Sequence, residues 1–349
     1  MLSTLRRAAF RALKTSGFST AVARSAWRRS RLLILCYHSI PIADEDQWRP
    51  LLYMSRSELA SRFQLIKDSG ATVLSLTEAL QRLYAGTLPE KAVAITFDDG
   101  AHNFYYSAYP IIRKFGFPVT VYQATYHVDF QRPIFNLACS YILWKRRETM
   151  LTGAEALGIS GSIDLSSETT RQAVVSNLIA FSQKNGLSGI AKDELAQQLA
   201  EILGFDYEAF CTARLLYLMS PAEIAELSAD GVDFQLHTHR HRTPRTEELF
   251  RKEIRDNRRR LEEITRHPAT HFCYPSGVYY AEFLPWLAAE GVSSATTCEA
   301  SLASSKINPL LLPRFVDTIS KSALDFESWL NGTGSLLARR PASRDINYE

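Results

Sequence analysis

The chain has 349 residues, of which 46% are hydrophobic and 22% charged, with a formal net charge of +3. That is enough apolar material for one large α/β domain or two smaller ones, and it marks the chain as globular. The charge is too mild for a surface that binds nucleic acid throughout, so any basic function has to be local.

The local excess lies at the N-terminus. Residues 1–43 contain no Asp or Glu, yet carry Arg6, Arg7, Arg11, Lys14, Arg24, Arg28, Arg29 and Arg31 among Leu, Phe, Ala and Trp27. Arginines interrupt every apolar run that could form the roughly 7–15-residue core of a secretory signal. No run approaches the roughly 18 apolar residues of a membrane span. Residues 1–31 therefore read as a basic amphipathic arm suited to an anionic membrane surface; a solvated or domain-packing helix and an Arg-rich, acid-poor transit peptide are the other readings. The expected location is the cytoplasm, with a peripheral position on the inner face of the membrane. Cys36, Cys139, Cys211, Cys273 and Cys298 are odd in number, widely spaced and without a CxxC pair. They argue for a reduced compartment and for small buried side chains, Cys273 being the one expected near chemistry.

After the arm, the apolar run 32–38 reads as a strand that ends in His38. A helix is expected over 57–70, a strand over 72–74 and a helix over 76–84. The strand 91–97 then ends in Asp98-Asp99-Gly100, followed by a helix over 106–115 and a strand over 118–123. Repeated strand-then-helix order predicts a parallel sheet or barrel with its site at the strand C-termini. Between about 130 and 220 the rhythm stops, and 169–184 and 192–203 read as amphipathic helices of an inserted cap. Alternation resumes with the strand 232–236, which runs into His237-Thr238-His239-Arg240-His241. A charged helix over 246–264, a strand over 270–274, a helix over 281–290 and strands near 294–296 and 311–316 follow. The resulting division is a first barrel part over 32–130, a helical insertion over 131–215, a second barrel part over 216–330 and a flexible tail over 331–349.

Asp98, Asp99, His237 and His241 are the residue types of a divalent-metal site with open positions. Two imidazoles and one carboxylate leave room for water and substrate, and the spare carboxylate can take a proton from a water acidified by the metal. An Asp-Asp pair alone often caps a turn, and a lone His is usually structural. It is the recurrence of ligand-type side chains at two strand ends that points to function. A fully extended chain would put His237, His239 and His241 on one face, leaving His239 open as a ligand. His102 fits a turn or cap, and Arg258-Arg259-Arg260 fits a solvated helix face.

Thr96-Phe97-Asp98-Asp99-Gly100, His237-Thr238-x-x-His241, Phe272-x-Tyr274-Pro275-x-Gly277 and Leu312-Pro313-Arg314, in that order, resemble the polysaccharide deacetylase family, the NodB-like carbohydrate esterase group. Tyr37-His38 resembles the opening of the subgroup that starts with a Tyr-His strand. The resemblance covers about residues 32–130 and 215–318. It implies an α/β fold, an irregular (β/α) barrel, that hydrolyses the amide of an N-acetylated sugar with a divalent metal, usually Zn2+. Asp99, His237 and His241 match the metal ligands, Asp98 matches the base that activates the metal-bound water, and Thr238 matches the residue supporting the histidine loop. His239 is then expected outward or behind the ligands. The backbone N–H of Ser276 is the expected oxyanion donor, with Tyr274 beside it in the groove.

Two departures stand out. Where many members carry an Arg that orients the catalytic Asp, this chain has Cys273, and Arg314 is the natural substitute. The family's last histidine is missing, which leaves His38 as the general acid. The expected substrate is a GlcNAc-type residue of a polysaccharide or lipid-linked glycan, with Tyr105, Tyr126 or Trp144 available for sugar stacking. The alternatives are a catalytically weak glycan-binding or assembly protein and an O-acetyl esterase on the same scaffold.

Overall fold

Seven short, largely apolar strands running in parallel frame the computed structural model, which describes residues 2–338. In chain order the strands are β1 (Arg31–Tyr37), β2 (Val93–Phe97), β3 (Val119–Gln123), β4 (Met150–Leu151), β5 (Ile163–Asp164), β6 (Asp233–Leu236), β7 (His271–Cys273), β8 (Ser294–Thr296), β9 (Ala303–Ser304) and β10 (Phe315–Val316). The parallel path is β10-β1-β2-β3-β6-β7-β8, and β9 pairs antiparallel with the start of β1. A bridge between Thr296 and Leu312 brings β8 back to the segment entering β10 and curls the sheet towards closure. This is an irregular (β/α) barrel.

Strand alternation sorts the side chains. Leu33, Leu35 and Tyr37 on β1, and Val93, Ile95 and Phe97 on β2, join the main core shared with the helices. Leu32, Ile34 and Ala94 pack with Tyr122 and Cys273 in a second, smaller core. Cys36, Thr96 and Asp98 continue that second face, so the pleat itself turns Asp98 inward. Between β3 and β6 the helices Phe135–Lys145, Glu168–Lys184, Gly189–Ile202 and Tyr207–Thr212 enclose a core of their own, with β4 and β5 as an antiparallel ribbon.

Several elements differ from the sequence expectation. The strand over 72–74 is a single bridge, Val73 to Val93. The helix over 106–115 starts as a π-turn, Phe104–Ala108, before the α-helix Tyr109–Phe115. The N-terminal segment forms the helices Leu2–Thr15, Phe18–Ala23 and Ala26–Arg29, which pack on a C-terminal helix, Ala323–Asn331. Phe10 is buried there, and the fully buried Arg28 donates to the carbonyls of Leu330, Arg31 and Ala92. The start of the expected flexible tail is ordered: Thr333–Leu337 is helical with Thr333 and Gly334 buried, while residues 339–349 lie outside the described residues. The Arg258–Arg260 run is not a free solvated face, since Arg258 donates to the carbonyls of Ala269 and Glu290, and Arg260 pairs with Asp129. No described helix is long and apolar enough to cross a membrane.

The helix Pro221–Ala229 starts with a capping box, Ser220 with Glu223. Glu223 also meets His102 Nδ1 at 3.1 Å and the guanidinium of Arg214. Burial alone would push its carboxyl up, but His102, Arg214 and the Ser220 N–H outweigh it and hold the group at about 2, against an ordinary 4.5. A lowered folded-state value stabilises the fold above pH 4.5, and that contribution is lost as the pH falls towards 2. Glu223→Gln is therefore expected to cost on the order of 2–3 kcal/mol in urea unfolding at pH 7, with the gap narrowing on acidification. A pH-independent gap would contradict the assignment.

Candidate metal and acid–base site

β2 and β6 deliver the central residues. The Asp98 N–H still donates to Tyr37 O at 3.0 Å, so Asp98 remains on the strand ladder. Asp99 leaves it at φ +72° and turns its carboxylate towards the mouth. Asp99 Oδ1 lies 3.2 Å from His237 Nε2 and 3.1 Å from His241 Nε2. His237 Nδ1 is 2.9 Å from the Cys273 carbonyl, which can only accept, so Nδ1 carries the hydrogen. In the neutral ring Nε2 is then a lone pair facing a carboxylate oxygen, an arrangement that wants a cation between them. Burial would push the Asp99 carboxyl up, but His241 and His237 hold it well below the usual range. Asp99 in turn raises His241 against the opposing effect of burial. His237 is buried, whereas Asp99 and His241 are 38% and 40% exposed at the side chain, leaving open positions.

Two other groups bring ligand-type atoms equally close, Cys36–His38–Asp98 and Asp98–His237–Cys273. They fit a cation poorly. Burial pushes both thiols well above the ordinary range despite the nearby Arg314, so they stay S–H. Asp98 is also fully engaged. Arg314 Nη1 donates to its Oδ1 at 2.7 Å and Nη2 to its Oδ2 at 2.8 Å. The thiols of Cys36 and Cys273 each approach Oδ2 at 3.5 Å. Burial would raise Asp98, but the Arg314 charge and hydrogen bonds reverse this and hold it far below the ordinary carboxylate value. Arg314 is itself fully buried, donating from Nε to Thr297 O at 3.0 Å and from Nη1 to Thr96 Oγ1 at 3.1 Å. The small Cys273 side chain, 3.0 Å from Arg314 Nη2, leaves the space this guanidinium fills.

His38, half-buried, places Nε2 3.9 Å from Asp98 Oδ2. Thr238 is fully buried, and its hydroxyl accepts from the Arg242 N–H at 3.0 Å. Ser276 is exposed at φ +55°, and among the described residues its N–H has no partner. Tyr274, expected in the groove, is instead buried, with its hydroxyl donating to Leu310 O. His239 faces away from Asp99, its Nδ1 2.9 Å from Thr125 Oγ1. His102 belongs to the Glu223 pair. Of the aromatic residues, Tyr126 is exposed beside the histidine loop and its N–H donates to His239 O at 2.7 Å, Tyr105 binds Glu226, and Trp144 packs beside Tyr141. Sequence reasoning did not place Cys36 and Thr96 at the site, though strand alternation puts them on the face of Asp98.

The fold is an irregular (β/α) barrel with two ligand-bearing motifs at the ends of its strands. The family model described as Polysaccharide deacetylase matches residues 85–150 and 194–294. Over those residues the chain resembles the polysaccharide deacetylase family. YxkH of Bacillus subtilis (strain 168), named for polysaccharide deacetylases, is 34% identical over 103 residues, 28% of this chain and 35% of that protein. The poly-beta-1,6-N-acetyl-D-glucosamine N-deacetylase of Escherichia coli (strain K12) is 29% identical over 98 residues, 28% of this chain and 14% of that protein. The matches thus span a minor part of these relatives. The Streptococcus pyogenes deacetylase PplD, solved in complex with acetate, shares the fold with a TM-score of 0.56 at 20% identity, covering 86% of this chain and 97% of that one.

Removing one partner of a buried ion pair strands the other charge. Arg314→Met is therefore expected to cost about 3–5 kcal/mol in chemical unfolding, and adding Asp98→Asn should recover much of it. Full additivity of the two costs would refute the coupling.

Proposed function

We propose that this protein is a metal-dependent hydrolase that removes N-acetyl groups from GlcNAc residues of a polysaccharide, in exopolysaccharide biosynthesis. The observation that carries this is the division of labour between adjacent carboxylates: Asp99 converges with His237 and His241, while Asp98 is held apart by Arg314. Asp99, His237 and His241 would hold the cation, zinc being the best match to two imidazoles and a carboxylate. When bound, it would polarise the acetyl carbonyl and lower the pKa of the attacking water. Arg314 keeps Asp98 ionised at neutral pH, the form that accepts the water's proton, and fixes its direction. The unpartnered Ser276 N–H supplies an oxyanion donor. His38, beside Asp98, donates a proton to the departing amine, which leaves poorly as an anion. The names of the Escherichia coli and Staphylococcus aureus relatives support the choice of N-acetylglucosamine.

The roles separate in two variants. Asp98→Asn should keep zinc and lose about 10²–10⁴-fold in acetate release from N-acetylglucosamine oligomers. Asp99→Ala should lose both zinc and activity. Wild-type activity in either variant would overturn the assignment, and acetate released only from O-acetylated sugars would make the protein an esterase.

The proposal extends to location, with the exposed face of the N-terminal helices resting on an anionic membrane surface at its cytoplasmic face. Exposed Arg11, Arg24 and Phe18 support it, a mixture of cations and an aromatic ring suited to a lipid headgroup layer. Co-sedimentation with phosphatidylglycerol vesicles, lost at high salt and absent with phosphatidylcholine, is the expected result; equal partitioning into the supernatant with both would remove the membrane from the account.

A further inference from the structure

The helix Glu247–Thr265 packs behind the histidine loop and buries Phe250, Ile254 and Leu261 at helical spacing. Two polar side chains interrupt that stripe, Glu253 at 1% exposure and Asn257 at 0%. A buried carboxylate and amide are costly unless their hydrogen-bonding capacity is used, and both spend theirs on the segments that carry the site. Asn257 Oδ1 accepts from the His237 N–H at 2.9 Å, and its Nδ2 donates to Gln123 O and to Thr125 Oγ1, both at 2.9 Å. Glu253 Oε2 accepts from the Arg240 N–H at 2.8 Å. Its Oε1 accepts from Arg242 Nε at 2.9 Å and Arg240 Nη1 at 3.2 Å, and its own carbonyl accepts from the His239 N–H at 3.2 Å. The backbone N–H groups of 237, 239 and 240 thus all end on these two residues.

The loop they hold is one the chain would not choose alone. Thr238 and His241 sit at φ +60° and +53°, a left-handed region disfavoured for residues with a Cβ. Were the chain to continue β6 in extended form, His237, His239 and His241 would share one face. In the structure the backbone curls instead, so that His241 returns to Asp99 while His239 is tied to Thr125, whose hydroxyl also receives the Asn257 amide.

We propose that Glu253 and Asn257 are positioning residues that select which histidines face the cation, presenting His237 and His241 and withholding His239. This rests on the metal reading of Asp99, His237 and His241. The clamp acts before any substrate arrives, so its effect is on metal affinity and coordination.

The test is zinc affinity of the full-length protein by competition with a chromophoric chelator, with the cobalt absorption spectrum as a second readout. Asn257→Leu and Glu253→Leu should each weaken zinc by about 10–100-fold and change the cobalt spectrum. Glu253→Gln should weaken it less, because one carboxamide oxygen still accepts the Arg240 N–H. Leu261→Ala, which opens the core further along the same helix without touching the loop, should leave both readouts unchanged. Folded Asn257→Leu and Glu253→Leu proteins that bind zinc as tightly as the wild type would overturn the inference. So would a Leu261→Ala variant that loses zinc to the same degree, since the helix would then act only through stability. A wild-type protein that binds no zinc would instead overturn the metal reading itself.

Discussion

The ion pair between Arg314 and Asp98 is the interaction on which the rest of the site depends. Both partners are buried among Thr96, Tyr122, Cys36 and Cys273, a lining in which the Thr96 hydroxyl accepts from Arg314, the two thiols approach Asp98 and the Tyr122 ring lies beside the guanidinium. In such surroundings neither charge persists without the other. The two-pronged guanidinium fixes both carboxylate oxygens of Asp98, so this acid cannot swing to the metal position one residue away. Asp99 is thereby left as the ligand. Two adjacent, chemically identical side chains take different roles because the pleat turns one inward to Arg314 and a left-handed backbone turns the other to the mouth.

The approach to β10 supplies the cation that holds Asp98, and β7 contributes only a small thiol at Cys273. The exchange has a steric logic, since a long side chain at 273 would occupy the volume that Arg314 fills. The mouth is shaped by another contact. The loop after β1, which begins with His38, packs Tyr53 against Ala138, Tyr141, Phe210, Leu215 and Leu216. Tyr141 and Lys145 also bind Asp44 in the same loop. The helical insertion therefore buttresses the segment that presents the proposed general acid, and its effect on the chemistry need not involve touching substrate.

Much of this was legible in the sequence because strand ends carry strong signals. Apolar runs ending in Asp98-Asp99 and in His237 define both the barrel direction and the site. The interplay of Arg314 with Asp98 was readable from an absence, the missing arginine at 273. Other features were not legible for identifiable reasons. Glu253 and Asn257 lie in a helix so rich in charge that two buried polar residues look like solvated ones; only the partners across the fold distinguish them. Arg28 looked like one more cation of the arm, yet it is buried because the backbone carbonyls of two distant residues, Ala92 and Leu330, and of nearby Arg31 converge on it. The helix Ala323–Asn331 had a signal in Ser322 and Asp325, a capping box in its less common acidic form. Tyr274 sits beside Ser276 in sequence, but strand alternation and the Leu310 carbonyl draw it inward.

The central claim is that Asp99, His237 and His241 hold the metal while Asp98 and its thiol neighbours stay with Arg314. X-ray absorption at the zinc edge of the loaded protein tests it most directly. The account predicts a shell of nitrogen and oxygen scatterers alone, at about 2.0–2.2 Å. A sulfur scatterer at about 2.3 Å would place the metal against Cys36 or Cys273 and contradict the division between the two carboxylates.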